Sequence, residues 1–349
     1  KNAIIVAFLY GLSTIAWAYS QTSLGIVPST FFVLLGFYFL RNWEIYNLPR
    51  YLILSGISLG VGFLTRNDSI LFIIPIFIFI LYFMKSKKNK IKSFLGFVIP
   101  VSLAYGIQNL IEVIRFGSMQ STAWAIELLT FSKPETAIAL EEASAAAGEP
   151  TNVFMNIFGL FFSPGVGLFM FSPIILGVFV GFVDMYKKNK HSCILILAFL
   201  SMLLIAFAPL HFWHGLNSWG PRYLLAIVPF LLIPIAFSLE KRGIFFKLTL
   251  IILGGLGFFI NLVYLLQDVP WFVWGIMGDD SRGLYSLARK EGGGVWPIWI
   301  NPLVIWSFEY SQLTQSVMWM FGKLQVDIFL LKLLGIQTYI IAFLSFLAI

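Results

Sequence analysis

Ser69-Ile-Leu-Phe-Ile-Ile-Pro-Ile-Phe-Ile-Phe-Ile-Leu-Tyr-Phe-Met84 runs without a break into Lys85-Ser-Lys-Lys-Asn-Lys-Ile-Lys92, and a second apolar run follows at 94–114. An upright helix needs about 20 apolar residues to cross a bilayer, and runs of this length reach or approach that. The basic loop between them sets the orientation, because short loops rich in Lys and Arg stay on the cytoplasmic side. Working outward, further apolar runs fall at 3–18, 27–40, 51–65, 173–186, 193–210, 223–239, 244–266 and 328–348. The reading is an all-α polytopic membrane protein with about ten transmembrane helices, several of them shorter than an upright span requires. Composition agrees: 59% of residues are hydrophobic and 11% charged, against roughly a quarter charged in soluble domains. Mean hydropathy is +0.89.

Alternation from the Lys85–Lys92 loop puts Arg41–Arg50, Lys187–Lys190 and Glu240–Arg242 inside as well, and each is basic on balance. The inner side then carries 14 Lys/Arg against 3 acidic residues, and the outer side 8 against 13. Because the net charge of +7 is spread over short inter-helix loops, with no basic-aromatic motif, nucleic acid is excluded as a partner and the bilayer is the expected one. Ten of the 11 Trp fall outside, Trp43 being the exception. The single Cys193 rules out an internal disulfide framework and reads as core filler.

Two outer segments, 116–152 and 267–327, are too long for passive turns and read as extracytoplasmic caps. The first carries amphipathic pieces at Thr122–Leu129 and Ala137–Ala147. The stretch 153–171 is apolar but broken by Ser163-Pro-Gly-Val-Gly167, and only one crossing fits before Lys187. It reads as a re-entrant or interfacial hairpin, whose irregular backbone lines a cavity or packs on protein. The organisation expected is a transmembrane core over 1–266 with its site on the outer face, a loop or small cap over 267–327, and a final transmembrane helix over 328–349. Beginning at Lys1 and stopping inside an apolar run, the chain reads as a fragment cut at both ends.

The chemistry gathers outside. His211-Phe-Trp-His-Gly-Leu-Asn-Ser-Trp-Gly-Pro-Arg222-Tyr223 packs imidazoles, indoles and a guanidinium between two apolar runs. Ionisable groups beside a bilayer are costly, so such a cluster marks a site for a polar ligand, with an aromatic belt around a snorkelling Arg as the plainer account. Arg66 and Arg222 both stand at the membrane edge, where a guanidinium can hold a phosphate bidentately while its stem lies along lipid. Arg66 can instead pair with Asp68, and Asp68 can pair, cap the helix beyond it, or accept a proton from a hydroxyl. His211 and His214 are spaced i, i+3 like a metal pair, but no third ligand stands at diagnostic spacing, so no metal site is assigned. Contact with a sugar or phosphate suits them better, with Trp213 and Trp219 stacking on a sugar face or forming an interfacial belt. Ser163, Pro164, Gly165, Tyr19 and Gln21 are expected to line the pocket. No cofactor is required by these residues; Asp279-Asp280-Ser-Arg282 and Glu309 either hold a divalent cation or form a solvated loop. Gly292-Gly-Gly294 reads as a hinge.

Gly56–Arg66 with Asp68, the stretch Leu160-Phe-Phe-Ser-Pro-Gly-Val-Gly-Leu-Phe-Met-Phe-Ser-Pro173, and His211-Phe-Trp-His-Gly with Trp-Gly-Pro-Arg-Tyr-Leu224 and Pro229 occur in this order. In that order they resemble the multi-spanning C-class glycosyltransferases, the superfamily of protein O-mannosyltransferases and lipid A aminoarabinose transferases, over roughly residues 3–240. The resemblance implies a prokaryotic plasma membrane, a polyprenyl-phosphate sugar donor, an acceptor glycan, lipid or protein, and inverting transfer at the outer face. It implies donor contact by Arg66, Arg222, Tyr223, His211, His214, Trp213 and Trp219. It also implies a catalytic Asp in a first external loop, whereas this chain has no Asp before Asp68. The rival class is a lipid-linked glycan flippase or secondary transporter, which would place its polar groups near the bilayer midplane on broken helices. Here the spans hold mainly Gly, Ser and Thr as their small or polar residues.

Overall fold

The computed structural model describes residues 2–22, 25–84, 90–117, 152–210, 213–215, 218–266 and 302–323, and every regular element among them is helical. Six helices are long and apolar enough to cross a membrane: Ile26–Tyr46, Asn67–Met84, Lys90–Arg115, Lys190–Phe207, Arg222–Lys241 and Ile244–Leu265. Ten crossings are therefore not what the described residues carry. The expected span 328–348, like the stretches 118–151 and 267–301 of the two outer segments, lies outside the described residues.

The differences have local causes. The run 3–18 is two helices, α1 (Asn2–Ser13) and α2 (Ile15–Ser20). They part at Thr14, whose backbone is extended and whose hydroxyl accepts from the Ala16 amide while donating to the Tyr10 carbonyl. Hydroxyl side chains compete with the helix for its own backbone groups in this way. The break is secured by tertiary structure, since the Ile15 amide donates to Ser172 Oγ at 3.0 Å. Conversely α3 (Ile26–Tyr46) outruns its apolar stretch. Arg41 and Glu44 pair one turn apart, Trp43 is wholly buried, and Asn47 ends the helix in a left-handed conformation. Trp43 is thus core rather than interface belt.

Helix α4 (Pro49–Thr65) has 17 residues, short of an upright span. It lies between α3 and α6 (Lys90–Phe116). Close approach explains the small residues along it: a Cβ on Gly56 would stand 2.6 Å from the Phe97 carbonyl oxygen of α6. Helix α5 (Ile70–Met84) packs on a later helix, which closes the bundle through Phe37, Phe72, Phe199 and Phe230, all buried with ring centroids 5.1–6.2 Å apart.

The stretch 153–171 is a helix–turn–helix, α7 (Val153–Phe162) and α8 (Leu168–Phe171), followed by a 3-10 run at Pro173–Gly177 and by α9 (Val178–Lys188). Helices α10 (Lys190–Phe207), α11 (Val228–Lys241) and α12 (Ile244–Leu265) complete the bundle. Cys193 in α10 is buried, as its reading as filler expects. Within 267–327 the described part forms α13 (Pro302–Trp306) and α14 (Gln312–Lys323).

Charged residues collect at two ends of this bundle. At the end expected to be inner, Glu44 pairs with Arg41 and faces His191, Lys188 reaches Glu240, and Arg242 grips Asp184. Arg66 and Arg222 belong to the other end.

Candidate functional site

Arg222 opens a 3-10 run, Arg222–Ile227, that feeds α11. The chain reaches it through Gly215 at φ +82° and Gly220 at φ +66°, a left-handed geometry that favours glycine. A Cβ on Gly220 would also stand 2.8 Å from Phe171 and 3.3 Å from Ile15, so this turn is seated on the broken first helix and on α8. The Arg222 guanidinium carbon lies 5.1 Å from the Tyr223 ring centroid, and Nη2 reaches the Tyr223 hydroxyl at 3.4 Å. Tyr223 is itself stacked on Phe207 at 4.4 Å. Arg222 Nε is buried with no hydrogen-bond partner, and no carboxylate among the described residues pairs with the side chain.

Tyr19 meets this group from α2. The break at Thr14 turns α2 so that the phenol is 3% exposed, beside Ser218 and near enough to Arg222, Tyr264 and Arg66 to respond to their charges. Burial, helped by Tyr264, pushes the phenol well above its ordinary titration range, while Ser218, Arg222 and Arg66 pull the other way. Its hydroxyl has no partner of proper hydrogen-bond geometry among the described residues. Of the two arginines singled out in the sequence, Arg222 therefore acts on this phenol more strongly than Arg66.

They are not equivalent. Arg66 Nε donates to Asp68 Oδ2 at 2.6 Å, with both side chains about three-quarters buried. Of the roles open to Asp68, pairing is the one the geometry contains; it sits within a 3-10 turn, Asn67–Ser69, and makes no capping bond. Next to it lies a carboxylate that sequence reading passed over. Glu112 of α6 is 6% exposed and accepts from Gln108 at 3.3 Å and Asn67 at 3.5 Å.

The aromatic residues of the cluster are packed rather than displayed. Trp219 is 4% exposed, edge-on to Phe171 at 4.9 Å and against Tyr264 at 4.8 Å. Trp213, 5% exposed, fills the space over Gly159 and lies 6.2 Å from Trp306. Neither indole offers a bare face for a sugar to stack on. His214 is buried against Trp213. His211 and Asn217 lie outside the described residues, as do Asp279, Asp280, Arg282 and Gly292–Gly294. Gln21 is exposed at the end of α2.

Ser163, Pro164 and Gly165, expected to line a pocket, are buried under protein instead. Ser163 Oγ accepts from the Val166 amide, the Gly165 amide donates to the Ile305 carbonyl at 3.0 Å, and Gln312 Nε2 donates to the Gly165 carbonyl at 2.6 Å. A Cβ on Gly165 would stand 2.2 Å from the Val304 carbonyl oxygen. The turn is the seat on which residues 304–312 of the second outer segment dock.

Ser218, Tyr264, Asn261 and Glu112 were missed. Asn261, wholly buried in the apolar second half of its helix, gave the clearest signal, because an amide among spanning residues needs partners. Its Nδ2 donates to the carbonyls of Phe171 and Gly257.

Residues 1–106 match the family model described as dolichyl-phosphate-mannose-protein mannosyltransferase. No curated protein and no solved structure matches the chain. The mannosyltransferase match bears out the C-class resemblance over the first helices, whereas the resemblance itself was traced to about residue 240. It covers Tyr19, Arg66 and Asp68 but stops before Arg222. Over those residues the similarity is to a family described by its use of a lipid-phosphate sugar, and the apolar helices of this chain are long enough to cross a membrane.

Proposed function

We propose that this chain carries the donor-binding part of a glycosyltransferase that moves mannose from a polyprenyl-phosphate donor to an acceptor hydroxyl at the extracytoplasmic end of the bundle. The observation that carries the reading is Arg222, a cation at that end with no acid partner among the described residues and a buried, unpartnered Nε, on a turn that packs against Ile15 within the stretch similar to a mannosyltransferase family. An unspent guanidinium beside lipid suits a lipid-linked phosphate. In the reaction the bond between sugar C1 and the phosphate oxygen breaks, and its electron pair stays on that oxygen. The acceptor oxygen bonds C1 from the opposite face, and its proton passes to a carboxylate base. Asp68 is tied to Arg66, and this reading assigns the base to no residue of the chain.

The rival reading, a carrier, draws on one observation, the helix break at Thr14. Ser172 satisfies the freed amide and Gly220 packs against Ile15, so the break is braced within the protein rather than open to either side. The test is to supply radiolabelled mannose to vesicles holding the full-length protein, either as polyprenyl-phosphate mannose or as a nucleotide sugar. Transfer from the lipid donor alone, with polyprenyl phosphate released in equal amount, is expected. Movement of intact donor across the vesicle membrane without release would establish the carrier.

A further inference from the structure

Buried polar atoms without partners are rare in native proteins, and each one asks for a ligand or a water. Four of them share one neighbourhood here: Tyr19 Oη, Arg222 Nε, Trp219 Nε1 and Asn261 Oδ1. Contacts join them in series. Ser218 Oγ and Arg222 Nε both lie against Gly215, Tyr19 lies beside Ser218, the Gly220 turn rests on Phe171 and Ile15, Trp219 packs on Phe171 and Tyr264, and the Phe171 carbonyl holds Asn261. Three of the four are donors, which is the complement of an anion made only of acceptors.

Tyr19 carries the most information. A buried hydroxyl that lacks a hydrogen bond of good geometry costs free energy, and among the described residues Tyr19 Oη has only Ser218 beside it. The phenol is 3% exposed, and it is braced from three directions: Thr14 turns the helix, Ser172 holds the Ile15 amide, and the Gly220 turn closes over Ile15.

We propose that Tyr19 is a catalytic residue of this site, its phenol donating a hydrogen bond to the donor phosphate oxygen that Arg222 neutralises. The inference rests on the transferase reading for its substrate, and on the geometry for the residue. As the bond to the sugar breaks and negative charge gathers on the phosphate oxygen, the hydrogen bond strengthens, so the phenol favours the transition state over the ground state. The proton stays on Tyr19 throughout. A phenol is already protonated at neutral pH, and burial here only reinforces that state.

The test uses the full-length protein in nanodiscs, titrated calorimetrically with farnesyl phosphate, farnesol and inorganic phosphate, as wild type and as Tyr19→Phe. Wild type is expected to prefer farnesyl phosphate to both others. Tyr19→Phe is expected to weaken farnesyl phosphate by about tenfold, to leave farnesol unchanged and to lower kcat by about 100-fold. The variant keeps the ring, and a thermal unfolding midpoint at or above that of wild type checks that the fold is intact. A variant that binds farnesyl phosphate and turns over like wild type overturns the role of Tyr19 and leaves the transferase reading standing. Tyr19-dependent binding in a protein that never transfers mannose overturns the transferase reading and leaves Tyr19 a lipid-phosphate ligand. Equal competition by inorganic phosphate overturns the lipid-linked source.

Discussion

Arg222 and Arg242 stand at opposite ends of one membrane-crossing stretch, the first opening it and the second following its last residue, Lys241. Their surroundings are opposite too. Arg242 meets Asp184 with Nε at 2.9 Å and Nη2 at 3.0 Å, and Ser238 adds a third hydrogen bond to the same carboxylate at 2.7 Å. Asp184 is 5% exposed at its side chain, so this inner clamp ties α9 to α11 with its charges and lone pairs accounted for. Arg222 leans on the Tyr223 ring and leaves Nε unanswered. One helix thus spends its inner cation on structure and keeps its outer one available. The inner end holds the bundle together, and the outer end is where something outside the protein can still be bound.

The comparison is broken most decisively at Arg222. Arg222→Ala is expected to lower mannose transfer by about 100-fold or more, the loss typical of removing one preorganised donor from developing charge. The variant should still insert and unfold at the wild-type temperature, since the side chain makes no ion pair among the described residues. Transfer at the wild-type rate would make Arg222 a snorkelling interface residue and end the contrast.

Arg242→Ala sharpens the same contrast from the other end. Removing one partner of the clamp leaves Asp184 buried with a charge that only Ser238 and Lys241 can answer. The expected result is a fall of several degrees in the thermal unfolding midpoint, read by tryptophan fluorescence in detergent. Transfer by the folded fraction should stay within about twofold of wild type, because sites without shared partners act independently. A variant as stable as wild type and slow in transfer would reverse the roles given to the two ends.

The architecture was legible where hydrophobic runs were long and their ends charged. Ile244–Leu265, Lys190–Phe207 and Arg222–Lys241 appear within a few residues of their apolar runs. Legibility failed where tertiary contacts overrule local preference. Nothing adjacent in sequence says that Ser172 will catch the Ile15 amide, or that Trp43 will be buried and carry α3 past Arg41. At the site, residue type pointed to Arg222, Arg66 and Tyr19, and all three stand at one end of the bundle. Burial was the hidden part. Trp213 and Trp219 look like open platforms in sequence because their packing partners, Gly159, Trp306, Phe171 and Tyr264, are remote in the chain.

Arg66 offers the finest cut, because it shares the outer end with Arg222 and the paired state with Arg242. Its Nε is held by Asp68 at 2.6 Å, which offsets much of the charge it would show to an anion. If pairing is the work of Asp68, Asp68→Asn frees a second guanidinium at the same end of the bundle as Arg222. The donor KM should then fall by about threefold while kcat changes by less than about threefold, since a partly solvated charge of this kind adjusts binding modestly. A base gives the opposite split, because removing the group that takes the acceptor proton costs about 100-fold or more in kcat and leaves donor KM in place. Steady-state kinetics on this single variant therefore decide between a carboxylate that restrains its neighbouring arginine and one that does chemistry. The first outcome leaves Arg222 as the dominant cation of the outer end. The second moves the reacting centre towards Arg66 and places the acceptor on the α4–α6 side of the bundle.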